Sequence, residues 1–293
     1  MLDLSEVNAF PVRLPSAAIA LLQRNPNVEA VEAVPIRYAM GSRSPVPSFG
    51  KSATIGEQAP YGISMVQADQ LSYNAAGKRK LCVVDSGFDL THEDLQHTLV
   101  TGENLTTSGD WSTDEARHGT HVGGTIAALA NNGVGVVGVV SNRQLALQIE
   151  KVFDASGSAP SSTILKAALN CMRARANVIS MSLGGPQKTK FEERTYQRIA
   201  DRHILVIAAA GNAGTSAISY PAGYASVMSV AAIDASMNGA SFSQFDSDVE
   251  IAAPGVDVFS TVPMGTGRKA STSDGSVSYA VQPMEGTPPL NVT

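Results

Sequence analysis

The sequence predicts an α/β fold in which a doubly wound, mostly parallel sheet is flanked by helices. Short apolar runs that end in a turn, such as 81–85, are typical of strands buried on both faces of a sheet. Segments with apolar residues at helical spacing, such as 161–176, separate these runs. Strands that alternate with helices of this length form parallel sheets with right-handed crossovers.

The elements of this sheet follow one another in a regular order. A serine that can act as a helix cap precedes the segment 161–176, whereas the helix at 190–203 is more polar. The predicted strands are 81–85, 145–154, 177–185, 204–212 and 226–234, and the predicted helices are 118–131, 161–176 and 190–203.

A smaller unit precedes the sheet-forming part of the chain. A helix at 16–24, an Asn-Pro turn and an alternating strand at 28–34 are predicted, so residues 1–40 form a small α+β unit. Residues 41–56 are rich in Gly, Ser and Pro and lack apolar periodicity, which is typical of a linker.

The composition excludes several classes of partner. With 43% hydrophobic and 16% charged residues, the chain can form a well-buried core. The net charge of -5 argues against a protein that follows nucleic-acid phosphates. No basic run points to an anionic membrane, and the apolar runs are shorter than the ~20 residues that span a bilayer. We therefore expect neither nucleic acid nor membrane as a partner.

The two cysteines, Cys82 and Cys171, both fall in apolar segments. Two cysteines form neither a disulfide framework nor a zinc cluster. Buried free thiols are therefore the favoured interpretation, and a bridge between the two remains open.

Three polar or glycine-rich stretches come at strand ends. They are Asp85, Ser182–Gly185 and Gly211–Asn212. Since ligands bind beyond the carboxyl ends of strands in doubly wound sheets, these stretches together predict a site.

Two histidines, His118 and His121, lie at the start of a predicted helix. A carboxylate at a strand end and a histidine at a helix start can meet above the sheet, so Asp85 could orient His118 as a general base. Gly119 and Gly124 would permit the close packing that this requires. The alternative is a metal site formed by the two histidines, although this spacing without a third ligand is a weak zinc pattern.

Several motifs resemble those of the subtilisin-like serine proteases, the subtilases. In order along the chain they read VVDSGFDLTHEDL, HGTHVGGTIAAL, MSLGG and AAAGN. The resemblance spans most of residues 57–262, from APYGISMVQAD to IAAPGVDVFSTVP. It implies the fold described above and a serine endopeptidase that acts on extended polypeptides.

The resemblance also implies roles for individual residues. Asp85 and His118 match the triad aspartate and base, and Asn212 matches the amide donor of the oxyanion hole. The walls of the substrate cleft are implied to be Ser182, Leu183, Gly184 and Gly185 on one side and Ala209, Ala210 and Gly211 on the other.

A structural calcium ion is implied by the same resemblance. Hard oxygen ligands suit this ion. The side chains of Asp94 and Asn132, the carbonyls of Ala130, Val134 and Val136, and the side chain of Glu57 match the calcium loop of the family. A glycine-rich loop without an ion is the alternative.

Residues 1–40 resemble the latter half of the inhibitory prosegment of the family, especially RNPNVEAVEAVP. The implied organisation is a partial prosegment (1–40), a linker (41–56) and a catalytic domain (57–293), with a maturation cut within 41–58. The implied protein is secreted and monomeric, with its own prosegment as inhibitor, although no signal peptide is visible in this sequence.

The serine motif of the family is absent from this sequence. Gly286-Thr287 is followed by Pro288, and neither Ser276 nor Ser278 has the expected context. Either Pro288 replaces the nucleophile, or the chain stops before the serine and the domain is incomplete at its C-terminus; we favour the second. The favoured function is a serine endopeptidase whose nucleophile lies outside this chain, and the alternative is an inactive homologue that only binds peptides. A metal-dependent hydrolase that uses His118 and His121 is the third and least favoured hypothesis.

Overall fold

A computed structural model describes residues 4–40, 56–72, 79–96 and 99–264, together with the backbone of strands at 268–271 and 277–280. The predicted linker at 41–56, apart from Gly56, and the stretch 286–288 lie outside this part. The described strands are β1 (Ile36–Ala39), β2 (Lys80–Asp85), β3 (Val100–Asn104), β4 (Ala146–Lys151), β5 (Ser158–Pro160), β6 (Val178–Met181), β7 (Leu183–Gly184), β8 (Leu205–Ala209), β9 (Met228–Ile233), β10 (Val249–Pro254), β11 (Arg268–Ser271) and β12 (Val277–Ala280). The described α-helices are α1 (Ser16–Leu22), α2 (Tyr61–Met65), α3 (His118–Ala127), α4 (Ser161–Arg173) and α5 (Lys190–Ala200).

Seven strands form one parallel sheet in the order β10-β9-β8-β6-β2-β4-β3. The predicted fold class is therefore confirmed. The chain passes from β2 toward β4 on one side and toward β6 on the other, so the strand order reverses at β2. Crevices at such a reversal are where doubly wound sheets bind ligands.

The two faces of β2 carry different layers of the core. Leu81 and Val83 pack in the cluster that contains the apolar side chains of α3. Cys82 and Val84 pack in the cluster that contains those of α4 and α5. Because strand side chains alternate between faces, Asp85 lies on the α3 face of the sheet.

The cysteines are joined across the second of these layers. Cys82 on β2 and Cys171 on α4 form a disulfide, with their Cα atoms 5.7 Å apart. The favoured interpretation as free thiols was therefore wrong. The alternation of β2 directs Cys82 toward α4, and a single sequence does not reveal this pairing.

A second, three-stranded sheet has the order β5-β1-β7 and is antiparallel. The strand predicted at 28–34 is absent, and the strand in this region is β1. Residues 28–34 have no neighbouring strand, and Val34 is 45% exposed, whereas β1 has a hydrogen-bonded strand on each side. The predicted helix at 16–24 is present as α1.

Several predicted elements end a few residues earlier than expected, and two of these differences have a structural cause. The helix predicted to reach 131 ends at Ala127, because the chain then enters a loop with left-handed residues at Asn131 and Gly133. The strand predicted at 177–185 is divided at Ser182 into β6 and β7, since β7 leaves the large sheet to pair with β1.

Within the described residues, no helix combines the length and apolar character that crossing a bilayer requires.

Candidate active site and substrate cleft

Asp85 and His118 meet above the carboxyl end of β2. Asp85 ends the strand and is fully buried, and His118 begins α3 and is 4% exposed. Nδ1 of His118 lies 2.7 Å from Oδ1 of Asp85, so the hydrogen bond predicted from the sequence is confirmed. A Cβ atom on Gly119 would lie 2.0 Å from the carbonyl oxygen of Gly87, so the close approach of α3 to the turn after β2 requires glycine.

Two further residues, Ser86 and Asp114, hold the Asp85–His118 pair in place. The backbone N–H of Ser86 donates to Oδ1 of Asp85 (2.7 Å), and the Ser86 hydroxyl donates to Oδ1 of Asp114 (2.7 Å). Oδ2 of Asp114 accepts from the N–H of Thr120 (2.7 Å), which satisfies a donor in the first turn of α3. Ser86 and Asp114 were not predicted from the sequence as parts of the site. An aspartate four residues before the histidine that begins a helix was the available signal.

The surroundings of His118 favour its protonated form. Burial is the largest effect and opposes the charge, and the charge and hydrogen bond of Asp85 act against burial. The carbonyl of Met40 and the charge of Asp114 add to them, and the pKa of His118 is raised. Nε2 lies 3.1 Å from the Met40 carbonyl oxygen, so both ring nitrogens face acceptors. A histidine with a stabilised imidazolium can take up a proton as a general base.

The second histidine has a packing role. His121 is fully buried, and its Nε2 lies 3.2 Å from the carbonyl oxygen of Val258. The ring nitrogens of His118 face Asp85 and Met40 instead of a shared point with His121. The geometry therefore favours the general base over the alternative metal site.

An extended segment of the chain itself lies in a groove that leads to His118. In this groove β1 is paired with β5 on one side and β7 on the other. The N–H of Met40 donates to the carbonyl of Ser182 (2.8 Å), and Tyr38 pairs with Gly184. The predicted wall at Ser182–Gly185 therefore borders an extended peptide.

The residues predicted for the opposite wall lie at the end of β8 and directly after it. Ala209 ends this strand, the N–H of Ala210 donates to Val230 (2.9 Å), and the carbonyl of Gly211 accepts from the N–H of Gln244 (2.9 Å). Asn212 comes next and is half-buried. These residues lie at the carboxyl end of the sheet, as predicted, but the bonds of Ala210 and Gly211 run to neighbouring elements and not to β1.

At the far end of the groove, a buried ion pair joins β1 to α5. Nη2 of Arg37 lies 2.5 Å from Oε2 of Glu192, and both side chains are almost fully buried. Neither residue was predicted from the sequence as part of a site. Thr189 and Glu192 have the spacing of a helix capping box, but this signal does not identify a partner 155 residues away.

The loop that resembles a calcium site surrounds a buried carboxylate. Oδ1 of Asp94 accepts from the side-chain amide of Asn132 (2.8 Å), and Oδ2 accepts from the N–H of Val136 (2.8 Å). Glu57 accepts from the N–H of Asn132 (2.9 Å). Burial raises the pKa of Asp94 to about 6, against the hydrogen bonds from Val136, Asn132 and Leu129, and the charge of Glu57 adds to it.

These residues fit a hard cation. A buried carboxylate beside a second one has excess negative charge, and carboxylate, amide and carbonyl oxygens are the ligands that Ca²⁺ prefers. In the described part of the chain, no three His, Cys, Asp or Glu side chains are grouped to hold a metal. Backbone carbonyls would therefore have to complete the ligand set.

The chain was compared with known proteins. The family model described as the subtilase family matches residues 77–287. Subtilisin DY of Bacillus licheniformis is 39% identical over 214 residues, which are 71% of this chain and 76% of the relative. An alkaline protease of Alkalihalobacillus alcalophilus is 41% identical over 224 residues, which are 73% of this chain but 55% of the relative.

A solved structure is similar as well. The psychrophilic subtilisin-like protease Apa1 from the Antarctic psychrotroph Pseudoalteromonas sp. AS-11 is 46% identical, with a TM-score of 0.69. The similarity covers 72% of this chain and 49% of that chain, so the matched part is about half of the solved protein.

Proposed function

Because this chain belongs to the subtilase family of serine endopeptidases, we propose that it hydrolyses peptide bonds of extended polypeptides. Asp85, His118 and a serine form the proposed triad. The observation that supports this most strongly is the contact at the end of the groove. Nδ1 of His118 is hydrogen-bonded to Asp85. The other ring nitrogen, Nε2, lies 3.1 Å from the carbonyl oxygen of Met40, at the end of the extended segment in the groove.

In the proposed reaction, His118 takes the hydroxyl proton of the serine while the serine oxygen attacks the carbonyl carbon. Asp85 accepts a hydrogen bond from Nδ1 and stabilises the imidazolium. His118 then gives the proton to the departing amine, and water hydrolyses the acyl-enzyme. Asn212 is proposed to donate its amide to the oxyanion, while the walls at 182–185 and 209–211 hold the substrate backbone.

We propose that the serine lies outside residues 1–293. This is supported by the sequence itself, in which Pro288 follows Gly286-Thr287. The reading frame beyond the Thr293 codon is the first test, and a Ser-Met-Ala motif is expected there. A frame without such a motif contradicts the protease proposal.

The kinetic test uses the gene product that includes this motif. His118→Ala should reduce kcat/KM for a peptide substrate by about a hundredfold or more, because general-base assistance is lost. His203→Asn is the control, since this exposed histidine has a φ of 59°, which asparagine tolerates. Equal turnover by the wild type and His118→Ala would rule out the assigned base.

A second candidate function, peptide binding without turnover, is supported by the occupied groove. In it the hydrogen bonds of β1 with β5 and β7 hold a peptide in place without any covalent step. It predicts that a chain read through the Thr293 codon binds peptides but cleaves none, and that Gly184→Val, which would crowd the groove, weakens binding.

We also propose that residues 1–40 inhibit the enzyme by occupying the cleft. The position of Met40 supports this, because its carbonyl faces the candidate base. The Met40–Gly41 bond is then the proposed maturation cut, at the edge of the expected range 41–58. N-terminal sequencing of the mature enzyme should begin at Gly41, and a first residue deep within the catalytic domain would contradict this.

Calcium is the proposed structural ion. Asp94, Asn132 and Glu57, with the carbonyls of Ala130, Val134 and Val136, would hold it, and it would stabilise the fold by binding only the native state. At calcium a hundredfold above its Kd, Tm should rise by roughly 5 °C or more. Asp94→Asn should remove this rise, and the exposed Asp110→Asn should keep it. An equal rise in both variants would contradict the site.

Secretion as a monomer completes the proposal. The Cys82–Cys171 disulfide supports secretion, because such bonds persist in oxidising compartments. Detection of the protein in culture supernatant, and a monomeric mass by light scattering, are the expected results.

A further inference from the structure

Arg37 is the side chain of β1 that points into the protein. Strand side chains alternate, and in β1 Ile36 and Tyr38 are 43% and 54% exposed while Arg37 is 0% exposed. An arginine is rarely buried to this extent unless it is paired. The complete burial of Arg37 in the groove therefore indicates a pocket that fits an arginine side chain in shape and charge.

The pocket binds the guanidinium through several acceptors. Nη2 lies 2.5 Å from Oε2 of Glu192 and 2.7 Å from the carbonyl oxygen of Gln187. Nε lies 3.3 Å from Oε1 of Glu192, so the carboxylate is contacted on both oxygens. A planar fork that meets a carboxylate in this way selects arginine by geometry as well as by charge.

The carboxylate is held by the catalytic domain and not by Arg37. Glu192 lies in the first turn of α5, where the helix dipole favours negative charge. Its Oε2 also accepts from the hydroxyls of Thr189 (3.2 Å) and Tyr224 (3.1 Å), and its N–H donates to the Thr189 hydroxyl (3.1 Å). The domain therefore presents this oxygen to whatever residue occupies the groove.

No other described cation pairs with Glu192. The nearby Lys188 is half-exposed and pairs with Glu193 at 2.7 Å. A buried carboxylate that loses its cation is strongly unfavourable. An occupant of the groove without a positive charge at this point would leave Glu192 in that state.

The position of the arginine relative to the chemistry is defined by β1. Met40, the residue after β1, presents its carbonyl to His118, and Arg37 lies within β1, three residues earlier along the chain. We propose that the cleft selects substrates with arginine three residues before the residue whose carbonyl faces His118, and that Glu192 determines this specificity. This inference rests on the proposed function, because it treats residues 35–40 as occupying the substrate position.

Gly185 is part of this pocket. A Cβ atom there would lie 3.1 Å from Nη1 of Arg37 and 2.9 Å from the carbonyl oxygen of Ile36. A larger residue would narrow the entrance to Glu192, so glycine at 185 is consistent with a long side chain in the pocket.

The test uses the full chain with Arg37→Ala, which removes the resident arginine. Two peptides are titrated by calorimetry, acetyl-Pro-Ile-Arg-Tyr-Ala-Met-amide and the same peptide with citrulline, a neutral isostere, in place of arginine. The arginine peptide should bind about tenfold or more tightly, because only it forms a charged pair with Glu192.

Three variants in the same background separate recognition from folding. Glu192→Gln should reduce the preference to less than about twofold, whereas Glu193→Gln, which changes the adjacent half-exposed glutamate, should retain it. A third peptide, with norleucine in place of arginine, should bind the Glu192→Leu variant more tightly than the arginine peptide does. Equal affinity for arginine and citrulline, a preference that survives Glu192→Gln, or no binding of either peptide would overturn the inference.

The outcome is distinguishable from failure of the proposed function. An enzyme that hydrolyses the arginine and citrulline peptides with equal kcat/KM contradicts the specificity and leaves the protease proposal intact. A chain that binds the arginine peptide selectively, but does not hydrolyse it even with the serine motif present, supports the specificity and contradicts the protease proposal.

Discussion

Two buried carboxylates, Asp85 and Glu192, stand at the two ends of the same groove, and each faces a basic side chain. Asp85 is bonded to His118, which belongs to the same domain and can lose its proton. Glu192 is bonded to Arg37, which comes from the N-terminal segment and stays charged at any ordinary pH. The partner of Asp85 is always present and can exchange a proton, which suits catalysis. The partner of Glu192 belongs to the segment that occupies the groove, which suits recognition.

A third buried carboxylate, Glu150, completes the comparison because it is bonded to neutral groups. The side-chain amides of Asn170 and Gln148 each donate to it at 2.8 Å. Burial raises the pKa of Glu150 to about 7, although these hydrogen bonds oppose the shift, and the charge of Glu103 adds to it. Hydrogen bonds from neutral donors therefore do not offset the effect of burial on the pKa of Glu150.

The largest effect on stability is expected at the recognition end. Arg37→Ala should lower the free energy of unfolding by about 3–5 kcal/mol, because it leaves Glu192 buried without a cation. Arg194→Ala, which removes an exposed pair with Glu29, should have a far smaller effect, because water and salt screen exposed ion pairs. Urea denaturation measures both, and equal losses would show that the Arg37 pair behaves as a surface contact.

The double variant sharpens this prediction. Arg37→Ala with Glu192→Gln should be more stable than Arg37→Ala alone, because the unpaired charge is then gone. If Glu192→Gln does not recover stability in the Arg37→Ala background, the stability lost in Arg37→Ala comes from the packing of the arginine side-chain methylenes.

Glu150→Gln tests the carboxylate whose hydrogen bonds come from neutral amides. Its folded pKa of about 7 lies above the ordinary value of 4.5, so the native state binds its proton more tightly than the unfolded state does. Stability is therefore lost as pH rises from about 4.5 to about 7, by roughly 3 kcal/mol at most. Glu150→Gln should be more stable than the wild type at pH 8 and should lose this slope. Parallel stability–pH curves would contradict the assignment.

Much of this arrangement follows from local sequence signals. The turn after 81–85 and the glycine after His118 predicted that a strand end and a helix start approach each other, and the structure has that contact. The alternation of β2 then explains why Asp85 faces α3.

Partners from distant parts of the chain could not be predicted in the same way. Nothing local to Arg37 or Glu192 indicates that they meet, and Cys82 alone does not indicate that α4 carries its partner. The alternating residues at 28–34 resemble a strand as closely as 36–39 do. The difference arises because only the second stretch lies between β5 and β7.

A smaller effect is expected at the catalytic end, where the partner titrates. Since the folded pKa of His118 is raised, its contribution to stability is present below its unfolded pKa, near 6.5, and is lost as pH rises through the folded value. In Asp85→Asn the free energy of unfolding should no longer fall over this pH range, because the charge that raises the pKa of His118 is gone.

The most direct test of the account is the pKa of His118, measured by NMR titration of its ring resonances in the full chain and in Asp85→Asn. The charged and hydrogen-bonded contact with Asp85 predicts a wild-type pKa above the ordinary 6.5 and a clear drop in the variant. A wild-type value at or below 6.5, or a value that Asp85→Asn leaves unchanged, would contradict the proposed catalytic pair.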